Sequence, residues 1–207
     1  MEGTSSIDRG AEAEISQIDF MGRRAISKTR APKGYRVAEL DNNIRATRTR
    51  TEARLMREAR KVGIRTPIIY DIDTKEFRIV MEEVQGKKVK DVLDQEPDSI
   101  NDVCIEIGRT IAHLHNHHIS HGDLTTSNMI FTSDGRICLI DMSMGSTMAE
   151  LEDIGVDIRL LERAFISAHP ELTDGFSKLM DSYINNVNEP DKILNKLQEI
   201  KDRGRYT

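Results

Sequence analysis

The stretch His121-Gly122-Asp123-Leu124-Thr125-Thr126-Ser127-Asn128-Met129-Ile130-Phe131 is followed by Ile137-Cys138-Leu139-Ile140-Asp141, and the two together decide how the chain is read. An Asp two residues after a His, with an Asn five residues further on, is a spacing used to transfer phosphoryl groups. The Asp orients the attacking hydroxyl or water. The Asn and a second carboxylate from the next strand share a metal ion over the phosphates. Asp123, Asn128 and Asp141 fit those three places. Alone, His121 to Asn128 is also compatible with a polar turn, since Asp, Thr, Ser and Asn are turn formers. Turn chemistry does not ask for the matched Asp141 at the end of an apolar strand.

The rest of such a site lies upstream. A helix is expected from about Asn43 to Val62, stopped by Gly63 with Pro67 beyond. On it Glu52, Leu55, Met56 and Ala59 fall at i, i+3, i+4 and i+7, which turns the Glu52 carboxylate inward. A buried carboxylate needs a cation. Lys28, at the end of the strand Ala25-Ile26-Ser27, is expected to meet it and to contact nucleotide phosphates, as in a kinase small lobe. Pairing of Glu52 with Arg48 or with the Arg residues flanking Met56 on a wet surface is the plain alternative. Gly10-Ala11-Glu12-Ala13 stands where a phosphate-covering loop is expected, although its single glycine suits an ordinary turn equally well. Val80-Met81-Glu82-Glu83-Val84 reads as a strand entering a linker, where backbone groups of Glu82 and Val84 are expected to read adenine. ATP and Mg2+ are the expected cofactors.

Around these residues, Glu14–Phe20 and Arg24–Ser27 form one expected hairpin, and Ile68–Tyr70 with Phe77–Met81 a second. After Gly86 the chain reads as mostly helical. Val103, Ile107, Ile111 and Leu114 make an apolar stripe, and further helices are expected over Val156–Ser167, Asp174–Asn185 and Asp191–Lys201. The expected fold is α+β: a minimal bilobal protein-kinase-like arrangement. Residues 1–83 make a small antiparallel sheet lobe carrying one helix, and residues 84–207 a reduced, mostly helical lobe.

At 207 residues and 38% hydrophobic content, the chain has enough apolar surface for one substantial core or two small lobes. No apolar run reaches membrane-spanning length, and Met1-Glu2-Gly3 opens no signal sequence, so a cytoplasmic location without a membrane is expected. Cys104 and Cys138 sit among apolar neighbours and are expected to be reduced, buried thiols. The net charge of -5 conceals a basic block: residues 22–65 alone carry +10. That block suits either nucleic acid and acidic partners or a solvated helix face. His113, His115, His117, His118 and His121 cluster in sequence, yet no Cys or carboxylate joins them at ligand spacing. A zinc site is therefore not expected, and His121 is expected to brace the loop.

With Asp123, Asn128, Asp141, Lys28 and Glu52 in order, the chain resembles the small atypical, RIO-like kinase/ATPase subunit of the KEOPS tRNA-modification complex, in its archaeal-type stand-alone form. Arg30-Ala31-Pro32-Lys33-Gly34-Tyr35-Arg36, Arg50-Thr51-Glu52-Ala53-Arg54, the loop itself, and Leu161-Glu162-Arg163-Ala164-Phe165 with His169-Pro170 carry the likeness. The resemblance implies a partner in the threonylcarbamoyl-transferase subunit, together with small accessory KEOPS subunits and tRNA. The activity implied is ATP hydrolysis in support of N6-threonylcarbamoyladenosine formation, alongside autophosphorylation and serine/threonine kinase activity. It also makes Asp157 the acid that braces the loop, and Lys201-Asp202-Arg203-Gly204-Arg205 a basic tail directed at a partner or tRNA. Three departures stand out. Met142-Ser143 follows Asp141 where Phe-Gly is usual, Ile154 occupies a lysine's place, and Thr125 stands where protein kinases acting on Ser or Thr commonly have lysine. A small-molecule kinase of the aminoglycoside or choline type shares the His-Gly-Asp motif, but the 66 residues after Asp141 are short for its substrate subdomain. A nucleotide-locked scaffold with little turnover is the other alternative.

Overall fold

The computed structural model describes the backbone of residues 5–9 and all of residues 13–204. Strands β1 (Ser5–Arg9), β2 (Glu14–Phe20), β3 (Arg23–Thr29), β4 (Ile69–Asp73) and β5 (Arg78–Glu82) form one antiparallel sheet, ordered β1-β2-β3-β5-β4. Both expected hairpins are present. Met21 and Gly22 turn the first, and the second is closed by Asp73, whose carboxylate accepts the N–H groups of Lys75 at 2.9 Å and Glu76 at 3.0 Å. Strand β1 escaped the sequence reading because Ser5-Ser6-Ile7-Asp8-Arg9 is a short polar edge without alternation.

Helix α1 (Ala38–Lys61) begins five residues before the expected Asn43. Its first turn is held by Asp41, which is buried and paired with Arg45 at 2.8 Å and Arg36 at 3.4 Å. Asp41 and Glu39 also place negative charge at the positive end of the helix dipole. Glu52, Leu55, Met56 and Ala59 are all buried against the sheet, as the spacing required.

The second lobe contains α2 (Val89–Gln95), α3 (Ile100–Asn116), α4 (Leu151–Ala168), α5 (Thr173–Asn186) and α6 (Pro190–Arg203). It also holds a three-stranded antiparallel sheet that the sequence reading largely missed: β6 (Gly86–Lys88), β7 (Met129–Thr132) and β8 (Ile137–Leu139). Strands this short give no usable period, and β6 finds its partner β7 only after α2 and α3 have intervened. The α3 stripe of Val103, Ile107, Ile111 and Leu114 is fully buried beside Leu179 and Tyr183 of α5. At about 1.5–3 kcal/mol per large apolar side chain, this stripe fixes the floor on which the functional loop rests. Helix α4 starts at Leu151 rather than Val156 because Glu150 and Asp153 form a capping box. Cys104 and Cys138 are buried free thiols, pushed up by burial to about 11 and about 12 respectively. Among the described residues, no helix is long and apolar enough to cross a membrane.

Candidate active site

The loop after α3 is built around two buried groups. His121 is completely enclosed; its Nε2 lies 3.0 Å from the Ile140 carbonyl and its Nδ1 accepts the Asp123 N–H at 3.2 Å. That pattern requires the neutral ring with its proton on Nε2. Burial supplies it, lowering the His121 pKa below the ordinary value against the pull of nearby Asp157. Asp157, on α4, accepts the backbone N–H groups of His121 at 2.6 Å and Gly122 at 2.8 Å. It also lies 3.4 Å from His115, whose other nitrogen is 2.9 Å from the Tyr183 hydroxyl. Burial pushes the Asp157 carboxyl up, but His115, His121 and the backbone donor outweigh it and hold it below the usual range. Asp157 therefore braces the loop as expected.

The segment after Asp141 is fastened to this loop. Ser120 donates its N–H to the Ser146 carbonyl and accepts the Ser146 N–H on its hydroxyl, both at 2.9 Å, while the Ala149 N–H reaches the His118 carbonyl at 2.7 Å. Two glycines permit the approach. A Cβ on Gly145 would lie 1.9 Å from the Ser120 carbonyl oxygen, and one on Gly122, at φ 81°, 2.3 Å from the backbone of Met144. Gly145 is thus a packing requirement, and Met142 nearby fills a fully buried position.

Asp123 emerges exposed from this frame. The Asn128 amide donates to both the carbonyl and the carboxylate of Asp123 at 2.9 Å, which leaves its own Oδ1 for another partner. The Ile140 N–H donates to the Asn128 carbonyl at 3.0 Å and ties the loop to the strand that delivers Asp141. His169, the residue that follows α4, supports the same turn: its Nε2 is 3.3 Å from the Thr126 hydroxyl and its Nδ1 2.7 Å from the Asp94 carboxylate. Asp141 adopts φ 59° and meets the Lys28 ammonium at 2.7 Å. Burial raises the Asp141 carboxyl, but Lys28, Arg30 and the Ser143 hydroxyl overcome this and hold it low. Lys28 also contacts Glu52 at 2.8 Å, so the expected pair forms and the Arg48 alternative does not. Hard oxygens from Asn128 and Asp141 are a donor set that suits Mg2+.

The Glu82 N–H is taken by the Ile68 carbonyl at 2.8 Å, and its carboxylate pairs with Arg65, so Glu82 cannot offer its amide to adenine. Part of the basic tail is helical: α6 runs to Arg203, with Lys201 on Glu162 at 2.6 Å and Arg203 on Glu152. Gly10, Ala11, Glu12 and Arg205 lie outside the described residues, and Ala13 is buried just before β2. The five clustered histidines diverge. His115 and His121 point into the core, whereas His113, His117 and His118 are exposed. Arg30 was not singled out. It contacts Glu52 at 2.7 Å, and its signal was available, because two residues after Lys28 in an extended chain it shares the lysine's face.

Residues 10–171 match the protein kinase domain family. The KEOPS complex subunit Bud32 of Pyrococcus abyssi is 39% identical over 211 residues, covering 97% of this chain and 95% of that protein. The chain belongs to the Bud32 family of protein kinases. A mouse EKC/KEOPS subunit, Tp53rkb, is 34% identical and covered over 88% of its length. A probable bifunctional tRNA threonylcarbamoyladenosine biosynthesis protein of Methanothermobacter thermautotrophicus is 40% identical over 96% of this chain but only 36% of its own length. The chain spans about a third of such bifunctional relatives. In fold, the Bud32-family chain is similar to Rio2 kinase from Chaetomium thermophilum in its ADP/Mg2+-phosphoaspartate complex, at TM-score 0.66 and 15% identity, covering 100% of this chain and 72% of that one. The expected bilobal kinase-like fold is borne out.

Proposed function

We propose that the chain is a Mg-ATP-dependent atypical kinase and ATPase that works as the kinase subunit of a KEOPS-type complex and supports threonylcarbamoylation of adenosine in tRNA. The observation that carries this reading is the convergence of Lys28, Glu52 and Asp141 within 2.8 Å contacts, in a chain 39% identical to a Bud32 over nearly its whole length. In this reading Asp123 orients the attacking oxygen, Lys28 binds phosphates and Glu52 positions Lys28. Asn128 and Asp141 hold Mg2+, which when bound neutralises charge developing on the phosphates. Adenine is read by Val84 and by the carbonyl of Glu82, whose amide is already used. The partners are the threonylcarbamoyl-transferase subunit, small accessory subunits and tRNA. Turnover of ATP, rather than phosphorylation of peptides, is the favoured activity, because Thr125 supplies no cation beside Asp123.

The experiment is magnesium-dependent ATP hydrolysis by wild type and Asp123→Ala, each alone and with the threonylcarbamoyl-transferase subunit plus tRNA. Turnover confined to the assembled wild type, reduced about 10²–10⁴-fold by the substitution, is the expected result. Full activity in Asp123→Ala would overturn the assignment. Nucleotide binding without turnover in any sample would favour the scaffold, for which the fastened segment after Asp141 is the structural argument.

A further inference from the structure

His169 is 1% exposed, and its ring packs against Phe165 at 5.3 Å between centroids. Its two nitrogens are served differently. Nε2 is 3.3 Å from the hydroxyl of Thr126, a buried residue in the turn that joins Asp123 to Asn128. Nδ1 is buried and makes no hydrogen bond. An Asp94 carboxylate oxygen stands 2.7 Å from Nδ1, but outside the direction in which a ring N–H donates. With Nε2–H on Thr126, Nδ1 carries a lone pair, and a lone pair that close to a carboxylate oxygen repels it unless a positive centre lies between them. An enclosed ring nitrogen without a partner also costs free energy, so a fold that keeps one invites a reason.

The reason lies in a second carboxylate. Glu171 stands two residues on, across Pro170, in a turn closed by the Leu172 N–H on the His169 carbonyl at 3.0 Å. One ligand atom each from Asp94, His169 and Glu171 lies within 4.8 Å of the others, the histidine buried and both carboxylates at the surface. Among the described residues, no Lys or Arg pairs with either carboxylate. Ligands about 2.0–2.2 Å from a common zinc ion stand roughly 3–4 Å apart, so a small rotation of two exposed side chains closes the set. One imidazole with two carboxylates matches zinc rather than Mg2+, which takes oxygen ligands, and water completes the tetrahedron. The Thr126 hydroxyl on Nε2 is the outer contact that orients the ring of a metal-bound histidine. We propose that Asp94, His169 and Glu171 form a zinc site anchored on the His169 Nδ1. The ion fastens α2 and the end of α4, through the His169 ring and Thr126, to the turn between Asp123 and Asn128. It is distinct from the oxygen pair of Asn128 and Asp141, and it does not depend on the reading of the cleft as a nucleotide site.

The test is a calorimetric titration of the metal-stripped full chain with Zn2+ in excess Mg2+, with thermal melting of each sample. The proteins are wild type, Asp94→Asn, Glu171→Gln, His169→Gln and the double variant His113→Gln/His117→Gln. Wild type is expected to take up one Zn2+ and to melt higher with it. Asp94→Asn and Glu171→Gln are each expected to weaken uptake on the order of tenfold or more, with the gain in melting temperature shrinking in step. His169→Gln is expected to abolish uptake, since it keeps an amide near the Nε2 position and removes Nδ1. The double variant should bind as wild type does, because the exposed His113 and His117, four residues apart on α3, are the rival place for an adventitious ion. Amide hydrogen exchange from Thr126 to Asn128 is expected to slow with Zn2+ in wild type and not in Glu171→Gln. A wild type without saturable uptake overturns the proposal, and so does uptake that excess Mg2+ suppresses. Uptake unchanged in both carboxylate variants, or lost in the double variant, marks an adventitious ion and overturns it equally. Tight uptake that leaves exchange in the turn unchanged refutes the fastening. If His169→Gln does not fold, Asp94→Asn and Glu171→Gln, both at exposed positions, decide alone.

Discussion

Glu52 and Asp157 are both buried carboxylates at the centre of the molecule, and they are satisfied in opposite ways. Glu52 faces two side-chain cations, Lys28 and Arg30. Asp157 faces two backbone N–H groups and a histidine. A side-chain cation on a flexible stem can change partners, and Lys28 already serves Asp141 as well as Glu52. A backbone amide moves only if the loop that carries it moves. The cleft is thus lined with exchangeable ion pairs, while the loop under Asp123 is fixed by hydrogen bonds that no ligand displaces. The second class should govern stability and the first nucleotide affinity.

The largest expected effect follows from removing the fixed acceptor. Asp157→Ala leaves the N–H groups of His121 and Gly122 buried without partners and frees one side of His115, a loss of about 3–5 kcal/mol. Denaturant titration should show it as a lower midpoint with an unchanged slope. A change below about 1 kcal/mol would mean that the loop is held elsewhere, and the contrast with Glu52 would fail. Next comes Gly145→Ala, whose new methyl meets the Ser120 carbonyl. Overpacking against backbone is expected to cost about 1–3 kcal/mol and to lower turnover as well, since Ser120 precedes His121 directly. Unchanged melting and activity would show that the fastened segment yields easily.

A smaller effect on stability is expected at the exchangeable site. Breaking a buried pair commonly costs about 3–5 kcal/mol because a charge is left alone. In Lys28→Met, however, Glu52 keeps Arg30, and Asp141, with a side chain 38% exposed, can turn to water. The expected loss of stability is therefore within about 1 kcal/mol, while Mg-ADP affinity collapses. If Lys28→Met unfolds the protein as Asp157→Ala does, the two carboxylates do not differ in the way described.

The same contrast explains what could be read from the sequence. Helix periodicity placed Glu52 on the inward face, and the strand end placed Lys28 opposite, because regular elements repeat their geometry and a buried charge demands a partner. Asp123, Asn128 and Asp141 were legible for a related reason: fixed spacing across one turn and one strand. Asp157 entered only through likeness to a family, since nothing in Glu152-Asp153-Ile154-Gly155-Val156-Asp157 announces that its carboxylate will cap a loop more than thirty residues earlier. Arg30 was missed for the opposite reason. Its period-two relation to Lys28 was plain, but one cation already satisfied the expected pair. The β6-β7-β8 sheet was hidden because its pairings are long-range and its strands short. The use of the Glu82 amide by Ile68 was invisible because backbone pairing leaves no mark on side-chain types.

The mildest prediction changes a proton rather than an atom and separates the two kinds of support by pH. His121 has its folded pKa lowered, chiefly by burial, so its enclosure adds stability that is fully present above the ordinary histidine value of about 6.5 and is lost as pH falls through that value towards the lower folded one. Protonation would put a hydrogen on Nδ1, which now accepts the Asp123 N–H. Asp157 is also depressed, with burial opposing and the His115 and backbone hydrogen bonds prevailing. Its contribution persists above the ordinary carboxylate value of about 3.9 and disappears only as pH falls below it. Denaturant midpoints measured from pH 8 down to pH 3 should therefore fall in two steps in wild type. In His121→Asn the upper step should shrink while the lower one persists. A single acid transition in both proteins would mean that His121 is not held neutral in the fold, and the fixed half of the comparison would then rest on Asp157 alone.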